Sequence, residues 1–189
     1  MDDALSDRDR WNARYIDVDD VDGAPGALAW ALPHLPTVGS AIDVAGGRGG
    51  AACVLASRGL DTTLAEISSV AIEMAEKRAA RSRLTLATIE VDLQHDPFPL
   101  GPWDVICCFH YLHRPLFAAM ANALVPGGIL VAGIATRTNL ERNERPSARF
   151  LLDDGELLTL VPELEVVDHE EGWNDGGSHE ARLVARKPR

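Results

Sequence analysis

The stretch Asp43-Val44-Ala45-Gly46-Gly47-Arg48-Gly49-Gly50 decides the fold. It lies between an apolar run at 40–45 and a segment of helical period at 51–58, so it reads as strand, glycine-rich turn and helix start. Glycines let the main chain turn tightly and come close to a ligand. The carboxyl end of a strand in such a unit is the edge where open α/β sheets bind their ligands. Outward from this stretch, apolar runs recur at 62–66, 86–91, 103–109 and 128–135, nearly continuous as in strands covered on both faces. Helical segments at 68–81 and 115–124 alternate with them. The second opens on Pro115 and closes at Val125-Pro126-Gly127-Gly128. Alternation of strand and helix predicts a parallel sheet.

Beyond 135 the pattern changes. Asp153-Asp154-Gly155-Glu156 resembles a capping box ahead of a short helix to 160, and strands at 164–169 and 181–186 flank a Gly/Asn/Asp-rich loop. Residues 6–20 and 27–35 predict two helices packed over the sheet. The expectation is an α/β fold: a doubly wound, seven-stranded, mostly parallel Rossmann-like sheet with an antiparallel C-terminal hairpin. One domain is expected over 1–189, with a helical cap at 1–38 and the core at 39–189.

Composition narrows the function. The 189 residues carry 18 basic and 29 acidic side chains, a net charge of −11 spread along the chain. Such a surface repels phosphate backbones and anionic lipid, so neither nucleic acid nor membrane is expected as a partner. No apolar stretch approaches the roughly 18 residues of a membrane span, and Met1-Asp2-Asp3 is the reverse of a basic signal-peptide head, so the chain reads as soluble and cytoplasmic. Three cysteines, with Cys107 and Cys108 adjacent, give neither a disulfide framework nor paired metal spacing. His110 and His113 find no third ligand, so no metal is expected. Oligomeric state is not legible.

Two cofactors compete for the glycine loop. Gly47-x-Gly49-x-x-Ala52 satisfies the dinucleotide fingerprint, and Glu66, about 20 residues on, stands where a ribose-binding acid belongs. S-adenosylmethionine is favoured by Asp43 before the loop, Asp92 at the end of strand three and Pro126-Gly127-Gly128 before strand five. A nicotinamide oxidoreductase of the short-chain type is disfavoured, because Tyr15 and Tyr111 are followed four positions later by Asp19 and Pro115, not by lysine.

From about Trp11 to Arg186 the chain resembles a class I S-adenosylmethionine-dependent methyltransferase. The loop is similar to the superfamily's Asp-x-Gly-x-Gly-x-Gly, with Ala45 in place of the first glycine. More narrowly, Trp11-x-x-x-Tyr15, the loop, the 109–117 stretch from Phe109-His110-Tyr111 to Phe117, and Phe150-Leu151-Leu152-x-x-Gly155-Glu156-Leu157 resemble the small tellurite-resistance-like methyltransferases. An arginine commonly follows the last loop glycine there, and an Asn or His follows that. This chain has Gly50 and Ala51.

The resemblance implies S-adenosyl-L-methionine as cofactor and S-adenosyl-L-homocysteine as product. Glu66 is expected to accept both ribose hydroxyls. Asp92 should accept the adenine amino group while the Leu93 amide meets a ring nitrogen, and Asp43 should orient the methionine ammonium. Arg14, beside Tyr15, suits the methionine carboxylate, and Ala45, Gly46, Gly47, Gly49, Ile67 and Phe109 complete the set. Asp96 is expected to lie outside the adenine contact. Methyl transfer is an in-line displacement, so the protein supplies alignment, dryness and, where needed, a base. His110, His113 and Arg114, after strand four, are the candidate catalytic residues. Arg142, Arg145 and Arg149 are expected to cover the site, and His179 to reach its mouth. The acceptor is expected to be a small molecule, a chalcogen oxyanion or thiol-like nucleophile. A non-catalytic module that binds S-adenosylmethionine or S-adenosylhomocysteine is the alternative.

Overall fold

Seven strands form one sheet: β1 (Ser40–Val44), β2 (Asp61–Glu66), β3 (Ala87–Glu90), β4 (Trp103–Phe109), β5 (Leu124–Ala135), β6 (Glu165–Trp173) and β7 (His179–Arg186). Their order is β3-β2-β1-β4-β5-β7-β6 in the computed structural model, which describes residues 6–17 and 23–189. The strands from β3 to β5 run parallel, and β7 is antiparallel to both β5 and β6. This is the expected doubly wound sheet with its antiparallel hairpin, and the chain reverses its direction of winding between β1 and β4. At that switch point the carboxyl ends of neighbouring strands lead to connections on opposite faces, leaving a crevice.

The helices are α1 (Asp7–Ile16), α2 (Gly26–Ala31), α3 (Gly50–Ser57), α4 (Ser69–Arg81), α5 (Arg114–Ala123) and α6 (Glu156–Thr159). Side chains of the central strands alternate between two apolar layers, as a pleated sheet requires. Ile42, Ile106, Cys108 and Leu130 pack with Leu116, Phe117 and Met120 of α5. Ala41, Val105, Cys107 and Val131 pack with Leu28 and Ala31 of α2 and Leu55 of α3. Adjacent Cys107 and Cys108 therefore point into opposite layers and remain free thiols. No helix among the described residues is long and apolar enough to cross a membrane.

Several boundaries differ from the expectation. The first helix ends at Ile16, and positions 18–20 of its predicted span lie outside the described residues. The second ends at Ala31 and passes into a 3-10 turn, Leu32–His34, where Pro33 cannot donate a helical hydrogen bond. β5 begins at Leu124 rather than 128, because Leu124 already pairs with Trp103, and an irregularity between Trp103 and Val105 restores the register. Ser68 is the N-cap of α4, its hydroxyl accepting the Ala71 amide at 3.1 Å.

Candidate active site

The loop after β1 bends through three left-handed residues, Ala45 (φ 51), Gly47 (φ 55) and Gly49 (φ 71). Ala45 thus holds the conformation of the glycine it replaces, at a cost of about 1–2 kcal/mol for an L-residue. Gly46 has no room for a side chain, since a Cβ would stand 2.4 Å from both Asp43 Oδ2 and Leu64 Cδ1. A Cβ on Gly49 would stand 2.8 Å from that of Ala75, which lets the loop lie against α4. At Gly50, where the narrower pattern carries arginine, a Cβ would fall 2.3 Å from the Gly23 carbonyl oxygen.

Three carboxylates stand at or just beyond the carboxyl ends of the first three strands. Asp43 is 1% exposed, and its Oδ2 accepts the Ala52 amide, in the first turn of α3, at 3.0 Å. Burial pushes its pKa up to about 7; the Ala52 amide opposes the rise and the Glu66 charge adds to it. Glu66, 4% exposed, accepts the Gly47 amide on Oε2 and the Ile67 and Ser68 amides on Oε1, each at 2.9 Å. Burial raises its pKa and the three amides oppose. An ionised carboxylate has about four acceptor positions, so the Oε2 side keeps the open one. For Asp92, burial acts to raise the pKa, but the His95 ring at 2.8 Å and the Gln94 amide at 3.0 Å hold the carboxyl below its ordinary range. Asp96 does not line the cavity; its Oδ2 accepts the Asp92 amide at 3.0 Å.

These acids border a cavity of about 450 Å³ at the carboxyl ends of the strands, with α1 as its outer wall. Every predicted cofactor residue lines it except Gly49, which shapes the loop from behind. Tyr15 stacks on Trp11 at 5.8 Å, with the Arg14 guanidinium 5.5 Å from the Trp11 ring and that of Arg48 5.5 Å from the Tyr15 ring. Burial, then the Glu66 charge, raises the Tyr15 phenol above its ordinary range, so it stays neutral. His110 is exposed at the cavity with φ 57, and its main-chain N–H donates a hydrogen bond to the Gly133 carbonyl at 2.8 Å.

His113 and Arg114 are not brought to the cavity. His113 is the N-cap of α5, and Arg114 binds both Glu156 carboxylate oxygens and the Leu151 carbonyl. Arg142 lies 3.9 Å from the Trp173 ring centre and Arg149 4.4 Å from that of Phe150, and neither lines the cavity. His179 packs edge-on to Trp173 and pairs with the Thr136 hydroxyl at 2.8 Å. The wall residues that sequence reasoning missed include Arg48, Arg78, Gln94 and Tyr111. Gln94 and Tyr111 each stand one position after a predicted site residue, Leu93 and His110, which was the available signal. Among the described residues no three His, Cys, Asp or Glu side chains are grouped to hold a metal ion.

Residues 41–128, from β1 to the start of β5, match the family model described as Methyltransferase domain. The matched segment is similar to that family over just under half of the chain. It contains all three strand-end acids and the glycine loop. No curated protein sequence matches the chain. The fold is shared with TehB from Haemophilus influenzae (TM-score 0.73, 16% identity, 94% of this chain and 67% of that one). It is shared also with magnesium protoporphyrin IX methyltransferase from Synechocystis PCC 6803, solved with bound SAH (0.71, 16%, 95% and 97%). A third is geranyl diphosphate C-methyltransferase from Streptomyces coelicolor A3(2), solved with Mg2+, geranyl diphosphate and S-adenosyl-L-homocysteine (0.71, 14%, 97% and 99%).

Proposed function

We propose that this protein transfers a methyl group from S-adenosylmethionine to a small-molecule acceptor. One observation carries the choice of cofactor. In a dinucleotide site the loop and helix N-terminal amides receive the pyrophosphate. In this chain the Ala52 amide is taken by Asp43 and the Gly47 amide by Glu66, so carboxylates stand where phosphate would go. Two buried acids repel a pyrophosphate and attract a cofactor that carries an ammonium and a sulfonium.

When bound, S-adenosylmethionine supplies an electrophilic methyl group on its sulfonium sulfur. Glu66 accepts a ribose hydroxyl at its one open position, Asp92 and the Leu93 amide read the adenine, and Asp43 holds the ammonium. Arg14 takes the methionine carboxylate, with Tyr15 and Trp11 closing the wall against water. His110 faces the acceptor side, where a neutral imidazole takes a proton or holds an acceptor in line. A cavity of about 450 Å³ that must also hold the cofactor leaves room for a small acceptor. A chalcogen oxyanion or thiol-like nucleophile is the class supported by the four motifs shared with the tellurite-resistance-like group. The three free cysteines suit a reducing compartment, the cytoplasm.

The test is stabilisation and turnover. S-adenosylhomocysteine should raise the melting temperature and NAD(H) or NADP(H) should not, since a ligand of the folded state stabilises it by mass action. Methyl-labelled cofactor should then mark one of a panel of tellurite, selenite and small thiols. Stabilisation by nicotinamide nucleotides alone would sink the reading. Cofactor binding without methylation of any acceptor in a broad panel would make the protein a binding module.

A further inference from the structure

Helix α1 walls the cavity with Asp7, Trp11, Arg14 and Tyr15, yet none of its ten residues is fully buried. Side-chain bonds therefore do much of the work of tying it down. Asn12 Oδ1 accepts from the Ser68 hydroxyl at 2.7 Å and from the Val70 amide at 3.4 Å. Asp7 Oδ2 accepts from Gln94 Nε2 at 3.0 Å. Ser68 and Gln94 are also the residues whose main-chain amides donate to Glu66 and Asp92. Each latch thus runs from α1, through one residue, to one strand-end carboxylate.

We propose that Asn12 and Asp7 are positioning residues of the cofactor site, tying the α1 wall to Glu66 and Asp92. The inference rests on the reading of those two acids as cofactor acceptors. Asn12 does not line the cavity, so it acts through Ser68 and not on a ligand. With the latch in place, Trp11 and Tyr15 are set before the cofactor arrives. Without it, binding must also supply the cost of ordering the wall. Both bonds at Asn12 use its oxygen as acceptor. An aspartate at that position keeps both and places negative charge at the N-terminus of the thirteen-residue α4, where the helix dipole favours it.

The experiment is calorimetry with S-adenosylhomocysteine, together with amide hydrogen exchange over residues 7–16, on wild type, Asn12→Ala and Asn12→Asp. Wild type should bind and protect α1. Asn12→Ala should bind about tenfold more weakly and lose most of the protection, the scale of one to two hydrogen bonds. Its ligand-free melting temperature should stay close to wild type, because no residue of α1 is fully buried. Asn12→Asp should bind like wild type. Wild-type affinity and protection in Asn12→Ala, or an equal loss in Asn12→Asp, would overturn the latch. A wild type that fails to bind would overturn the cofactor reading itself, and the latch with it.

Discussion

The carbonyl oxygen of Gly23 stands 2.3 Å from the point that a Cβ on Gly50 would occupy. The chain around Gly23 and Pro25 can therefore form part of the cavity wall only because residue 50 has no side chain. Gly50→Ala should push this segment off the loop, costing about 1–3 kcal/mol of overpacking or cofactor affinity. Denaturation and calorimetry on the same variant divide the cost between fold and site.

Glu66 does two jobs, and its substitution should show both. Gln in its place turns one acceptor into a donor, among amides that need acceptors. Glu66→Gln should lower cofactor affinity by about 1–3 kcal/mol and also destabilise the ligand-free protein by a comparable amount. A loss of affinity with unchanged denaturation midpoint would mean that the amide bonds at the substituted oxygen contribute nothing to the fold.

For Asp43, burial sets a pH dependence. Its pKa rises on folding from 3.8 to about 7, so the folded state holds the proton more tightly than the unfolded one. The contribution is complete below 3.8 and is lost as pH climbs to about 7. Ligand-free protein should lose stability across that window, in the same direction as the raised Glu66, and Asp43→Asn should flatten the curve. A cation bound beside Asp43 favours its ionised form, so cofactor binding below pH 7 should release a proton. Binding heats that do not vary with the ionisation heat of the buffer would contradict this.

The left-handed backbone of His110 separates its chemistry from its conformation. His110→Gly removes the imidazole and the steric cost together, whereas His110→Ala removes only the imidazole. Turnover should fall about 10²–10⁴-fold in both if the ring is a general base, with S-adenosylhomocysteine binding nearly intact. The glycine variant should be more stable than the alanine one by up to about 1–2 kcal/mol. Wild-type kinetics in both would leave His110 a structural turn residue.

Much of this was legible beforehand because period and punctuation report local constraints. The glycine loop, Asp43, Glu66 and Asp92 follow from strand ends, and each lies at the cavity. What the sequence hid is non-local. Arg114 looked catalytic four positions after His110, but its partner Glu156 lies 42 residues on, in a helix that α5 meets only in three dimensions. Val125-Pro126-Gly127-Gly128 looked like a break, yet Leu124 pairs with Trp103 and the strand runs through it. Nothing in the sequence marks Asp96 as an acid that bonds the amide four residues back.

Cys107 and Cys108 lie on the central strand beneath the loop, both 0% exposed. Burial, then the Asp43 charge, raises Cys107 well above its ordinary range and pushes Cys108 up to about 12. Alkylation needs the thiolate, so neither sulfur should react while the sheet is intact. One thiol faces each apolar layer, and both become reactive only when β4 itself is exposed. Their labelling rate is then a built-in clock for global opening, blind to the state of α1 at the rim of the cavity.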